Sequence, residues 1–552
     1  MTQNTYRQIY QWGDKREVSL DEPTLEFLEN YFRTDRQQQR AIAQAIRNDV
    51  PVQIQPGRME TRHLDFFREI LRPENVLTDD FSRAGHALGK YYGDLLQLRF
   101  GQVPFPPDAV LQPDSHDQVQ RILDYCNQHG IPVVPFGGGS SVTRALEAHR
   151  GGVSIDLKAR MNGVLELNEQ DFTIRVQAGI LGPQLERYLN ERGLTCGHFP
   201  QSFEFSTVGG WIAACGAGQG STGYGRARDL MVALKVATPI GSYQSKDHPA
   251  SAQAWDLNQL FAGSEGVLGV ITEVTWKVFK HRPQEQLRAA FIFKDFESSV
   301  SAMREVMQQG CGKPHLFRIS DGPETQFGFK HKGFDGTWKD RLLKVLGYLP
   351  PDRTTMMITV EGDRTYNRVV ARNVRQITRR HGAIAAGTSP VEKWLKQRFE
   401  SSYLRDAFMD AGYMIDTMET AVTWQRLMPV WQAIYRYMQQ FDNRYYGMSH
   451  ISHVYENGCN LYVIFMSPMM NGDAESTMQE FHKFQQGMIR TFVENGGSIS
   501  HHHGVGRMGS SFMDTQFDST GRKMLSGIKH LLDPNNIMNP GDILGLPDNE
   551  QR

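Results

Sequence analysis

At 552 residues the chain is longer than one hydrophobic core usually serves, so two or more cooperating domains are expected. Its 60 Lys and Arg balance 61 Asp and Glu, which gives no overall field favouring nucleic acid or an anionic membrane, so local groups must hold any anionic substrate. Five scattered cysteines without a C-x-x-C pair, a start (MTQNTYRQIYQWGDKREV) with no apolar core, no long apolar run and the ending DNEQR together read as a soluble cytoplasmic protein with free thiols, leaving peripheral membrane contact open.

Residues 1–97 are charged and helix-like, with Leu25, Leu28 and Phe32 at helical spacing, and read as an amphipathic packing arm. The Pro-rich stretch QVPFPPDAV marks a boundary, and from 98 to 280 the texture becomes strands and helices with many glycines. There DAVLQP reads as a strand, HDQVQRILDYCNQHG as a helix and IPVVPF as an apolar strand ending at glycines, a β-α-β entry to a nucleotide site. VLELNEQDFTIRVQAG alternates at Phe172, Ile174 and Val176 across a polar turn and reads as a hairpin with one buried face.

From 281 to 497 a second unit opens with RAAFIFKDFESSVSAMREVMQQG, a strand then a helix, and repeats that logic at TTMMITVEG, as a cap domain with a sheet and covering helices would. Its stretch from 391 to 440 reads as helical and is rich in Met409, Tyr413, Met414, Met418, Trp424, Met428, Trp431 and Met438. Such side chains can line an adaptable alkyl tunnel, but ordinary core is the weightier reading. Residues 498–552 regain the glycine-rich texture and are expected to return to the first domain, carrying their histidines to its site. The fold class is α+β, not a run of doubly wound repeats.

Three loops carry the cofactor reading. Pro135, Phe136, Gly137, Gly138, Gly139, Ser140 and Ser141 follow a strand, and the glycines allow positive φ and close approach of backbone N–H groups to an anion such as a pyrophosphate. The spacing is neither G-x-G-x-x-G nor G-K-[ST], which disfavours NAD binding and nucleotide hydrolysis. PQSFEFSTVGGWIAACGAGQGSTGYG leaves room for a flat ring along its glycines, and its interleaved apolar residues do not suit a floppy surface loop. Gly263 to Ile271 lead straight into the alternating strand ITEVTWKV.

The motifs P-x-G-G-G-[ST]-S, S-x-E-F-S-T-V-G-G-W-I and G-S-E-G-x-L-G-V-I-T resemble, in order, the FAD loops of the PCMH-type flavoproteins to which vanillyl-alcohol oxidase belongs. GHFPQSFEFSTVGGWIAA and SISHHHGVG are similar to the alkyldihydroxyacetonephosphate synthase family in particular. The resemblance is strong over 98–280 and 498–506 and patchy but collinear through the cap. It implies a two-lobed PCMH-type FAD-binding domain with a sheet-and-helix cap. It also implies that the first loop binds pyrophosphate, that Pro200, Ser202, Phe203, Glu204, Phe205 and Ser206 line the flavin, and that Glu265, Gly266, Val267, Leu268, Gly269, Val270 and Ile271 contact FAD. Covalently flavinylated relatives often have a histidine where this chain has Ser140, so noncovalent FAD is expected.

His501, His502 and His503 offer three imidazoles that can exchange protons near neutral pH; a surface tract and a metal site are the alternatives, and the glycine-flanked setting weighs against the first. In 2-hydroxy-acid dehydrogenases of the same fold, H-x-G-D-G-N-L-H and G-E-H-G build a metal site. Here Tyr462 and His502 stand where a histidine and the glutamate would, so too few ligands for a divalent ion are expected. By resemblance Tyr462 is the catalytic tyrosine, the histidines relay protons, Arg405 binds substrate phosphate, and Arg318 serves activity and flavin retention. Taken alone, each arginine reads as an ion pair with a neighbour, Asp406 or Asp321. The ordinary tyrosine pKa near 10 requires either an environment that lowers it or a proton path through histidine.

The family often has lysine where this chain has Arg507. The implied reaction exchanges the acyl group of acyl dihydroxyacetone phosphate for a fatty alcohol on oxidised FAD without net redox change, an ether lipid synthesis step. The rival is an FAD-dependent oxidoreductase taking a hydride from a hydroxy compound such as a 2-hydroxy acid, since one scaffold hosts both chemistries. A small-molecule or lipid substrate is the expected partner, with a homodimer left open.

Overall fold

The computed structural model describes residues 4–11, 18–46, 48–469 and 473–545; the DNEQR ending and part of the N-terminal start lie outside the described residues. Four strands, β1 (Val76–Leu77), β2 (Ala109–Leu111), β3 (Val133–Phe136) and β4 (Val153–Asp156), form the first sheet in the order β1-β2-β4-β3, with β2, β4 and β3 parallel. Parallel strands need cover on both faces, which is why β2 and β3 read as unbroken apolar runs; Leu111, Val133, Val153 and Ile155 are fully buried. The crossover helix His116–His129 starts where the Ser115 side chain accepts from Gln118 N–H and stops at Gly130, whose φ of 65° closes the helix end. β1 comes from the N-terminal segment, so this arm donates an edge strand as well as helices. Two residues are too short for any periodicity to reveal.

The second sheet contains β5 (Val164–Asn168), β6 (Thr173–Gln177), β8 (Met231–Thr238), β9 (Gly241–Gln244) and β10 (Val270–Lys277), ordered β5-β6-β10-β8-β9; a short pair joins β7 (Leu194–Thr195) to β11 (Phe279–Lys280). β5 and β6 are the expected hairpin, with Ile174 and Val176 fully buried. Phe172 sits in its turn at a φ of 52° rather than on the strand.

The cap is a seven-stranded antiparallel sheet of β12 (Leu287–Phe293), β13 (Phe317–Ser320), β14 (Thr354–Val360), β15 (Ile384–Gly387), β16 (Tyr413–Thr423), β17 (Tyr446–Ile451) and β18 (Gly458–Pro468), ordered β15-β12-β14-β13-β17-β18-β16. Both anticipated strand-then-helix units are present, with helices Phe296–Gln308 and Arg364–Arg380. The 391–440 stretch is not helical throughout. Residues Tyr413–Thr423 form β16, paired with β18 along its whole length. The β-branched Ile415, Thr417, Thr420, Val422 and Thr423 stiffen this segment toward strand, a signal that its methionines obscured. Met409, Met414, Met418 and Met438 are buried in the core, as the ordinary-core reading requires.

The tail returns to the first sheet. Val133 N–H donates to Ile537 O at 2.8 Å and Asn539 N–H to Val133 O at 2.8 Å, placing residues 537–539 beside β3. The N-terminal helix Glu22–Phe32 buries Leu28 against Phe408, Tyr413, Met448 and Met466 of the cap. These closures hold the cap against the glycine-rich loops.

Candidate functional site

Between the loops and the cap sheet lies a cavity of about 1730 Å³. Pro135 through Ser141 line one end, and the backbone N–H groups of Gly137 through Ser141 have no protein acceptor among the described residues. A methyl at Gly138 would sit 1.7 Å from Phe205 O, so only glycine lets these two loops touch. Pro200, Ser202, Ser206, Glu265, Gly266, Gly269 and Ile271 line the cavity as well. Both ring nitrogens of His198 and Nδ1 of His453 are buried at its wall with no partner among the described residues, leaving polar groups for a bound ring system. A nest of free N–H groups, glycine backbone beyond it and orphaned imidazole nitrogens fit a pyrophosphate joined to a flat polar ring, as in FAD.

Other residues expected at the cofactor stand behind this wall. Phe203 stacks on Trp211 with ring centroids 6.2 Å apart, Phe205 packs edge-on to Tyr403 at 5.6 Å, and Glu204 accepts from the Tyr403 hydroxyl at 2.8 Å. Val267, Leu268 and Val270 are core residues. The motif extends over both lining and supporting positions, because residues beneath a cofactor are constrained by packing as tightly as those touching it. Glu265 combines the roles: it lines the cavity, and its carboxylate accepts from Gly506 N–H at 2.8 Å and from Val505 N–H, fixing the histidine loop. Burial pushes its carboxyl up to about 7 despite those donors.

The opposite wall is a row across the cap sheet. Ser320 on β13 faces His450 on β17, His450 faces Tyr462 on β18, and Tyr462 faces Glu419 on β16. Residues directly opposite on neighbouring strands share a face, so the register itself assembles this group. The His450 and Tyr462 rings stack at 4.6 Å and 17°, and His502 and His503 approach Tyr462 at 5.9 and 5.4 Å between ring centroids. Glu419 holds the histidine loop. It accepts from Ser500 Oγ at 2.6 Å and from the backbone N–H groups of His501, His502 and His503 at 2.6, 3.1 and 3.0 Å.

His502 and His503 face the cavity, whereas His501 lies behind them, Nε2 bonded to the Tyr455 hydroxyl at 2.7 Å. Arg318 reaches the cavity and pairs with Glu324, not Asp321, at 2.6 Å, and Glu324 also meets His450 Nδ1 at 3.1 Å. Arg405 likewise lines the cavity. It pairs with Asp416 at 3.0 Å, not with Asp406, and donates to Lys90 O. The sequence neighbours fail as partners because each arginine reaches across to another element. None of the eight methionine and aromatic residues singled out over 409–438 lines the cavity.

Burial sets the protonation states. It pushes Tyr462 up to about 12, the opposite of a tyrosine made acidic by its surroundings, so the hydroxyl is a proton donor at neutral pH. It pushes His501 and His503 down to about 3 and His450 down to about 4, with neighbouring cationic groups adding to the effect. Burial opposes the charge on Glu419 and Glu324, but the adjoining histidines and, for Glu324, Arg318 overcome it: Glu419 falls well below the carboxylate range and Glu324 to about 2. Burial outweighs the Glu419 carboxylate at His501 and His503, so both rings are neutral at neutral pH and each keeps one ring nitrogen able to accept.

Sequence reasoning found no carboxylate for a metal beside His502, but the fold supplies Glu419 from β16, and its oxygens lie within 4.8 Å of ligand atoms on His501 and His502. Both its oxygens are already engaged by the loop donors. Glu419, Glu324, His198 and His450 escaped the sequence reading. The available signal was a charged residue inside an apolar alternating run, as Glu419 is in TMETAV.

Residues 107–245 match the FAD binding domain family, and residues 282–543 match the C-terminal domain of FAD linked oxidases. The chain is 32% identical over 499 residues to alkyldihydroxyacetonephosphate synthase of Dictyostelium discoideum, covering 87% of this chain and 80% of that protein. It is 29% identical over 508 residues to the synthase of Trypanosoma brucei brucei, covering 88% and 81%. A solved alkyldihydroxyacetonephosphate synthase structure superposes with a TM-score of 0.78 at 26% identity, covering 97% of this chain and 99% of that one.

Proposed function

The chain belongs to the alkyldihydroxyacetonephosphate synthase family of FAD-linked enzymes, and from that premise we propose that it replaces the acyl group of acyl dihydroxyacetone phosphate by a fatty alcohol. The observation that carries this reading is the register pair Tyr462 and His450, with His502 and His503 beside it on a loop that Glu419 anchors, at one cavity with Arg405 and the glycine nest. Bound FAD would supply an oxidised, electron-poor ring beside the reacting carbon. Gly137 through Ser141 would hold its pyrophosphate, and Ser140 offers no imidazole for a covalent link.

Arg405 is suited to the substrate phosphate: permanently charged, cavity-facing, and braced by Asp416 and Lys90 O so that its fork is preorganised. In the exchange the C1–O bond to the carboxylate breaks with its electron pair, a C1–O bond to the alcohol oxygen forms, and the alcohol proton leaves. No net oxidation occurs. His503, neutral and within the Glu419 field, accepts a proton, and Tyr462 donates a hydrogen bond to the departing carboxylate. Arg318 acts through Glu324 on His450, fixing the ring against which Tyr462 stacks.

Anaerobic mixing with acyl dihydroxyacetone phosphate and a fatty alcohol tests the reading. Ether product with the flavin spectrum ending oxidised is expected. Lasting bleaching by a hydroxy compound, without ether product, would establish the oxidoreductase instead.

A further inference from the structure

The N-terminal arm touches both anion-binding parts of the cavity. Its segment from His86 to Arg99 is mostly buried and meets the glycine nest on one side and the groups around Arg405 on the other. On the nest side Lys90 N–H donates to Ser141 O at 2.7 Å, and the His86 ring packs 4.3 Å from that of Phe136. A methyl on Gly89 would lie 2.3 Å from Ser141 O, so only glycine seats the strap here. On the other side Lys90 O accepts from Arg405, and Tyr92 N–H donates at 3.1 Å to Asp416, the partner of Arg405. Lys90 thus bonds the nest through its N–H and the arginine through its carbonyl, while its amine donates to Ile9 O at 2.5 Å and Gln11 O at 3.1 Å.

Arg99 makes a second tie. Arg405 stands on the helix Leu404–Asp410, whose seven residues are too few to hold shape and place alone. Asp406 and Asp410, four residues apart and so on one face of that helix, lie 3.5 and 2.7 Å from the fully buried Arg99. The Arg99 guanidinium in turn sits over the Tyr10 ring, 4.5 Å from its centroid. Arg405, next to Asp406 in the chain, projects to Asp416 and the cavity instead.

We propose that Arg99 is a positioning residue for the substrate phosphate. Through Asp406 and Asp410 it sets the helix that carries Arg405, while the strap from Gly89 to Tyr92 holds the Arg405 guanidinium at a fixed separation from the nest. A buried ion pair often adds little stability over apolar packing of the same volume; the worth of this one lies in the placement it imposes. The arm therefore sets how far a bound phosphate lies from the cofactor loops, a distance on which alignment of the reacting carbon depends. This inference rests on the phosphate role of Arg405 given above.

The test is calorimetric binding of dihydroxyacetone phosphate, and separately of decanol, to the flavin-loaded full chain. Arg99→Met keeps an unbranched stem against Tyr10 and removes the charge. It should weaken dihydroxyacetone phosphate about tenfold or more, with decanol affinity and flavin content unchanged. KM for acyl dihydroxyacetone phosphate should rise by the same factor and KM for the fatty alcohol should not. Arg99→Lys, still a cation facing Asp410, should recover part of the loss. Asp410→Asn, at the more exposed end of the pair, should show the same phosphate-specific loss and serves if Arg99→Met does not fold. Native affinity for dihydroxyacetone phosphate in Arg99→Met, or in Asp410→Asn where that variant stands in, overturns the proposal. So does an equal loss of decanol binding and flavin, which would make Arg99 a general support of the fold. Native protein that binds no dihydroxyacetone phosphate overturns it together with the role of Arg405. A phosphate-specific loss in an enzyme that forms no ether product preserves the positioning role and removes the synthase reading.

Discussion

The two walls of the cavity are made by opposite means. The loop wall is largely backbone: glycines that admit close contact between loops and, in the run Gly137–Ser141, N–H groups adjacent in sequence that await an anion. The cap wall is side chains brought together from the helix Gly322–His331, β16, β17, β18 and the tail, with no two of Glu324, Glu419, His450, Tyr462 and His503 closer than twelve residues in the chain. A contiguous stretch suffices to make a cofactor nest, whereas proton-handling chemistry here needs a sheet in register. Substitutions in the first wall should therefore cost flavin, and substitutions in the second should cost turnover.

The largest effect is expected at Tyr462→Phe. It keeps the ring stacked on His450 and removes only the hydroxyl, so turnover should fall about 10²- to 10⁴-fold, roughly 3 to 5 kcal/mol of barrier, with flavin content unchanged. Flavin loss would erase the division between the walls. Full activity would move the chemistry to the histidines or to hydride transfer.

Gly138→Ala attacks the other wall. Its new methyl meets a backbone oxygen at 1.7 Å, which cannot rotate aside, so about 3 kcal/mol of strain is expected and the protein should purify folded but pale. Gly85→Ala is the control, since a methyl there meets nothing within 4 Å. A yellow, fully loaded Gly138→Ala protein would mean that the loops separate freely and that the nest is not preorganised.

The same division explains what could be read in the sequence. The glycine loops, the β5–β6 hairpin, the first crossover and the strand-then-helix units of the cap are local patterns, and each was legible. Tyr462 and the histidines were legible only through resemblance. Glu419 and His450 join them through pairings between distant strands, and β16 itself was obscured by methionines that suit either helix or strand. Phe203, Phe205 and Val267 look like cofactor contacts in a motif because a motif does not distinguish a lining residue from the one supporting it.

A smaller effect should expose the burial of the cap wall. His503 has a folded pKa of about 3 against an ordinary 6.5, so between those values the unfolded chain takes a proton that the native state refuses. That group's contribution therefore destabilises the native state progressively as pH falls below 6.5, by about 2 kcal/mol at pH 5. Relative to its effect at pH 7, His503→Gln should gain about that much against native protein at pH 5 in denaturant unfolding. An equal difference at both pH values would show that His503 is not held neutral, and the proton-acceptor assignment would fall with it.

The smallest expected effect is none, on prolonged chelation. Glu419 with His501 and His502 has the spacing of a metal site, which would make the cap wall a coordination centre rather than a proton-handling row. The hydrogen bonds argue otherwise. One oxygen of Glu419 accepts from Ser500 and two backbone N–H groups and the other from His501 N–H, so a divalent ion would have to displace donors that shape the loop. His501 is turned to Tyr455 and its Nδ1 lies 3.0 Å from that of His502, where one ring must donate to the other rather than both turn lone pairs to a common ion. Turnover and flavin content should therefore survive chelation with no measurable loss. Stoichiometric metal whose removal stops turnover would show that the loop rearranges around an ion, and would reassign Glu419 from loop anchor to ligand.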